Sequence, residues 1–175
     1  MSGEGDVSLS PASIRAAPHS RDIVLPSPNG STISALLRDS GATVVAASLR
    51  NASAVGQWLA DRVTVRSAFV VVPAGERWED GTLRPAVEDL WGAGAVIDQL
   101  ATRLGDQADA LSPEAALARQ AYRSVATRLD LELAACASGR ELLHKGYALD
   151  LAIAAELDSS TVVPVLHDGA FVHAR

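Results

Sequence analysis

A chain of 175 residues is the length of one domain and can bury about 70% of the surface its unfolded form exposes. Its net charge of −6 argues against nucleic acid or an anionic membrane surface as a main partner. The single cysteine, Cys136, excludes an internal disulfide and a cysteine-rich metal site, and no apolar run approaches bilayer-spanning length. The opening MSGEGDVSLSPAS lacks the basic start and apolar core of a signal peptide, so a soluble, cytoplasmic protein is expected.

Residues 1–20, rich in Ser, Ala and Pro, are expected to be poorly ordered, followed by a single α/β domain over 21–175. Residues 23–25, 44–47 and 69–72 are short apolar runs rich in β-branched side chains, the pattern of strands covered on both faces by helices. A turn and a helical pattern follow each run. Ile33, Leu36 and Leu37 mark the first helix, which Gly41 ends. Ala54, Val55, Trp58 and Leu59 mark the second, and Val87, Leu90, Trp91, Gly94, Ile97 and Leu100 the third. The alternation predicts a three-layer α/β/α domain with a mostly parallel or mixed central sheet.

The second half reads as more helical. Ser112 is placed to cap a helix with Pro113 at its first position, and that helix is expected to run to about Cys136. In ASGRELLHKG, Ser138 and Glu141 read as a capping box, with Glu141 and Lys145 spaced as an i,i+4 pair. A strand over 161–166 and an edge strand over 170–173 flank the turn His167-Asp168-Gly169. Gly92-Ala93-Gly94 lies within a helical pattern, so it reads as close helix packing or a break rather than a dinucleotide fingerprint. The histidines have neither zinc-ligand nor triad spacing.

The polar stretches follow the predicted strands, where ligands of open α/β sheets bind. After the first comes SPNGS, after the second SLRNAS, after the third PAGERWEDG. A helix starting after Asn29-Gly30-Ser31 points free N–H groups and its positive end at that crevice, and Arg50-Asn51 repeats the arrangement. Each loop by itself also reads as a plain cap and turn. Glu76 and Asp80 in the third loop, with Glu88 and Asp89 beyond it, offer the oxygen ligands that magnesium takes, or a solvated helix face. Adjacent helical residues diverge by about 100°, so Glu88 and Asp89 cannot both face one crevice. Asp150 falls near an apolar helix face and calls for structural pairing with an arginine or a backbone N–H.

Four segments in order, LPSPNGST, ASLRNA, VVPAGERWEDGTLRPAVEDLWGAGAVI and SGRELLHKGYALDLAIAAELDSSTVVPVL, resemble the 2-phosphosulfolactate phosphatase family over nearly the whole chain. The resemblance implies a magnesium-dependent α/β/α phosphatase acting on 2-phospho-3-sulfolactate in coenzyme M biosynthesis, with a small-molecule phosphomonoester as its partner. An early family strand ending in an Asp-x-x-Arg-Ala-Thr-like segment has no counterpart here, so the chain is expected to lack that strand and catalytic groups with it. A missing strand leaves a sheet edge that invites homo-oligomers. On this resemblance Glu76 and Asp89 hold or orient the magnesium. Asn29, Gly30, Ser31 and Asn51 cradle phosphoryl oxygens, and Arg50, Arg77 and Arg84 supply positive charge. With no evident covalent nucleophile, water attacks directly. The alternative is a catalytically inactive homologue that binds a small anion or acts as an interaction module.

Overall fold

The computed structural model describes residues 8–18, 22–25, 27, 29–105 and 111–174. The core is built around one long helix, α4 (Val87–Leu104), whose buried residues include Trp91, Gly94, Ala95, Val96, Leu100 and Ala101. Such a helix needs cover on more than one side. One side takes α3 (Ala52–Ala60), which a short 3-10 turn, Leu49–Asn51, leads into. The other takes α5 (Pro113–Val125). Leu49, Ala52, Val55 and Leu59 pack into the same core as Trp91, Tyr122, Val125, Leu129 and Leu133. The Gly94 motif is indeed a packing device, because a Cβ there would lie 2.1 Å from the Ala118 carbonyl oxygen.

Local signals set several boundaries as expected. Ser112 Oγ accepts from the Ala115 N–H at 3.3 Å, with Pro113 opening α5. The helix expected to reach Cys136 is broken, however. After α5 come a 3-10 turn, Ala126–Arg128, and α6 (Leu129–Ala135). Tyr122, Val125, Leu129 and Leu133 are all buried in one core, so apolar spacing carries through the break and hides it.

The next helix, α7 (Ala137–His144), is capped by Cys136, whose sulfur accepts from the Gly139 N–H at 3.3 Å. Ser138 therefore lies inside the helix and is not its cap, contrary to the sequence expectation. Gly139 is pressed against the Leu133 carbonyl, where a Cβ would come within 1.7 Å, so the turn between α6 and α7 has room only for glycine there. The Glu141–Lys145 pair forms at 2.6 Å. Within the segment expected to be poorly ordered, α1 (Pro11–Ala16) docks on α8 (Ala148–Ala154). Buried Asp150 accepts from Ser10 Oγ at 2.7 Å and the Ala12 N–H at 2.8 Å, the structural pairing its position required.

The fold class is mixed α/β, but the sheets differ from the expected arrangement. Among the described residues there are two small antiparallel sheets. One pairs β1 (Glu76–Arg77) with β2 (Leu83–Arg84), and the other pairs β3 (Pro164–His167) with β4 (Ala170–His173). The β3–β4 turn has positive φ at Asp168 and Gly169, the two-residue geometry that favours this hairpin. Val45 bridges Val165 in antiparallel sense. Residues 23–25 and 69–72 join no sheet, with Val24 88% and Val70 85% exposed, so a parallel central sheet is absent among the described residues. A β-branched run declares that a segment suits a covered strand; it does not name the neighbour or the pairing sense.

Candidate active site

The residues with chemistry gather where three helix starts meet the β1–β2 hairpin. Asn29 stands at the cap position of α2 (Gly30–Arg38) but makes no side-chain cap bond to it. Its Nδ2 instead donates to the Gly75 carbonyl at 2.8 Å, joining the start of α2 to the loop that enters β1. Gly75 has φ +68, a left-handed conformation that glycine adopts without strain. Its N–H faces the Asp89 carboxylate in the first turn of α4 closely enough to lower that carboxyl's pKa.

The hairpin register sets Glu76 directly opposite Arg84, so their side chains share one face. Arg84 Nη1 donates to Glu141 Oε2 at 3.0 Å and Nη2 to Ser138 Oγ at 3.3 Å, fastening the hairpin to α7. Its guanidinium also lies 5.6 Å from the Trp78 ring centroid. Arg77 serves the hairpin itself, donating to the Gly81 carbonyl at 2.8 Å, and Asp80 accepts from the backbone and hydroxyl of Thr82.

Electrostatics mark the same place. Burial, then Glu88, then Glu76 push the Asp89 carboxyl above its ordinary range, against the Gly75 hydrogen bond that lowers it. Burial pushes the Cys136 thiol up, and Glu88 adds to this from across the α4–α7 junction. Glu88 and Asp89 thus diverge as helical geometry requires, one toward Cys136 and the other toward Gly75. Arg84 is held protonated by Glu141 first, with Glu76 and Glu88 contributing.

The other sequence candidates lie around this group or apart from it. Gly30 and Ser31 open α2 beside Asn29; Ser31 Oγ donates to the Ser27 carbonyl, and the Gly30 carbonyl accepts from Ser34 Oγ at 2.7 Å. Asn51 is 6% exposed and spends its side chain internally. Its Oδ1 accepts from the Ser48 N–H at 2.7 Å, and its Nδ2 donates to the carbonyls of Val162 at 3.0 Å and Ala46 at 3.4 Å. Arg50 reaches Ser159 Oγ at 3.0 Å and Glu156 at 3.2 Å, a carboxylate shared with Arg15. The structure therefore brings Asn29, Glu76, Arg84 and Asp89 together and ties Arg50 and Asn51 into a separate frame.

Sequence reasoning missed Gly75 as the joint, and it missed Glu141 and Ser138 as partners of Arg84. Both were read as a cap, and their 57- and 54-residue separations from Arg84 carry no local signal.

A sequence model of 2-phosphosulpholactate phosphatase matches residues 3–169. The chain belongs to the 2-phosphosulpholactate phosphatase family. No curated protein matches the chain. The family is one of phosphoric monoester hydrolases, with a small-molecule phosphate ester as substrate class. The match includes every residue of the cluster described above. Among the described residues, no group of three or more His, Cys, Asp or Glu is placed to hold a metal ion, and no helix is long and apolar enough to cross a membrane.

Proposed function

We propose that the chain hydrolyses a small anionic phosphomonoester of the 2-phospho-3-sulfolactate type, giving the sulfolactate-type alcohol and inorganic phosphate with the help of magnesium. The observation that carries the reading is the hold of Asn29 on the Gly75 carbonyl, with Asp89 facing the same residue, inside a chain that belongs to a phosphatase family. That hold brings a helix start, a carboxylate pair and the Arg84 face of the hairpin to one place.

The donor chemistry fits a hard cation. Magnesium takes only one or two protein carboxylates, leaving its other positions to water and substrate phosphate, and Glu76 and Asp89 are such a pair. Burial first, then the charges of Glu88 and Glu76, raise the Asp89 carboxyl, and a bound cation would offset that cost of ionisation. When bound, magnesium supplies charge neutralisation for the phosphoryl oxygens. Glu76 and Asp89 would hold it. The N–H groups of Gly30 and Ser31 at the positive end of α2 and the Arg84 guanidinium receive phosphoryl oxygens in this reading. A water oxygen attacks phosphorus, the ester P–O bond breaks, and its electron pair leaves with the ester oxygen, which is protonated to the product hydroxyl. The water proton passes to the carboxylate pair. Arg50 and Asn51 serve the frame.

A three-layer α/β/α arrangement with a parallel or mixed sheet belongs to the same reading. Its support is compositional, since the β-branched runs at 23–25 and 69–72 suit strands covered on both faces.

The test is phosphate release from 2-phosphosulfolactate with and without added magnesium. Turnover that requires the ion and falls about 100-fold or more in Asp89→Asn is expected. No release by the wild-type protein would sink the reading, and calorimetric binding of sulfolactate without turnover would favour an inactive small-anion binder.

A further inference from the structure

We propose that Glu141 and Ser138 are positioning residues of the active site, which aim the Arg84 guanidinium at the phosphoryl group from the first turns of α7. The proposal rests on the phosphatase reading above.

Three features support this role. Arg84 belongs to a hairpin of two-residue strands, and isolated two-stranded hairpins are marginal in water, so its side chain needs an external tether. Glu141 and Ser138 supply it from one helix, at 3.0 and 3.3 Å, on two different nitrogens of one planar group. A guanidinium carries its N–H donors in a fixed plane, so holding two nitrogens sets the direction of the donors that remain. The other Glu141 oxygen accepts from Lys145 Nζ at 2.6 Å, an exposed i,i+4 pair that contributes little and is not needed to place Arg84.

The cross-strand pairing extends the effect to Glu76, which lies opposite Arg84 on the same face. One contact with α7 therefore sets both the phosphate-facing cation and one of the proposed metal-holding carboxylates. An ordinary surface ion pair is worth little to stability, and Glu141 at 43% exposure is of that kind, whereas Arg84 is only 18% exposed. A positioning role is thus separable from a structural one, because it costs substrate binding and leaves melting almost unchanged.

The experiment compares wild type, Glu141→Ala, Ser138→Ala and Lys145→Met for phosphate release from 2-phosphosulfolactate with magnesium, for inorganic phosphate binding by calorimetry, and for Tm. Arg84 contacts that are alike in ground and transition states should appear in KM. Glu141→Ala should therefore raise KM and weaken phosphate binding about tenfold, with kcat within about twofold and Tm within about 2 °C. Ser138→Ala, which removes one hydroxyl, should shift KM in the same direction and carries the test if Glu141→Ala does not fold. Lys145→Met should leave KM within about twofold. Wild-type KM and phosphate affinity in both alanine variants would overturn the positioning role while leaving the phosphatase reading intact. An effect of Lys145→Met equal to that of Glu141→Ala would also overturn it, by assigning the change to helix-surface charge. A wild-type protein that neither turns over nor binds phosphate would remove both readings together.

Discussion

The Asn29 side-chain amide donates to the carbonyl of Gly75 across 46 residues of chain, at 2.8 Å. With Asp89 facing its N–H, Gly75 lies between the starts of two helices. Asn29→Ala removes one half-buried hydrogen bond and should lower stability by about 1 kcal/mol. Asn29→Asp should cost more, since a carboxylate there faces the carbonyl oxygen it formerly served. Urea denaturation measures the stability, and kcat/KM should fall further than the stability loss explains. Unchanged kcat/KM in Asn29→Ala would reduce Asn29 to a connector.

Asp89 gives a prediction with a definite pH sign. Its folded carboxyl is raised by burial first, then by Glu88 and Glu76, so the folded state holds the proton to higher pH than the unfolded chain. Stability from this group is full below the unfolded value and is lost as pH rises through the folded one. At neutral pH its ionised form therefore opposes folding. Asp89→Asn, whose carbonyl can still accept the Gly75 N–H, should raise Tm by about 2–4 °C at pH 7 and by almost nothing near pH 3. Magnesium should raise the Tm of wild type and not of the variant. A lower Tm for Asp89→Asn at pH 7 would contradict the electrostatic account.

Asn51 is a test of frame against site. Its truncation to alanine removes part-buried hydrogen bonds to the Ser48 N–H and the Val162 carbonyl, for a loss of about 1–2 kcal/mol in urea denaturation. Because its hydrogen bonds stay within the frame, KM of the folded variant should match wild type. A tenfold rise in KM at full folding would return Asn51 to the phosphate site.

Gly92 and Gly94 should respond oppositely to the same change. A Cβ on Gly94 meets the Ala118 carbonyl oxygen at 2.1 Å and Tyr122 Cβ at 2.8 Å, so Gly94→Ala must separate α4 from α5, at a cost of about 1–3 kcal/mol. At Gly92 nothing lies within 4 Å, and Gly92→Ala should stabilise α4 by up to about 1 kcal/mol through helix propensity. Thermal melts of the two variants decide it.

Several features were legible because their causes act within a few residues. Ser112 and Pro113 start α5, Asp168 and Gly169 turn the last hairpin, and Glu141 pairs with Lys145 one helical turn away. Family membership was legible as well, since the motifs run in order along the chain. The cap of α7 was misassigned because the Cys136 sulfur, two residues before the serine, accepts from the Gly139 N–H, and a thiol is a weak acceptor that the usual cap residues do not announce. The antiparallel pairing of the described strands was not legible because an apolar run reports its own burial preference and not its partner.

By itself the sequence determined the start of α5, the turn of the last hairpin, the family and the inventory of carboxylates and arginines. Only the tertiary structure decided that Asn29 and Asp89 share Gly75, that Arg84 answers to Glu141, and that Asn51 turns inward. Propensities and caps draw their energy from neighbours along the chain, whereas these meetings depend on closing long loops around one packed core, and no short stretch of residues encodes which loops close together.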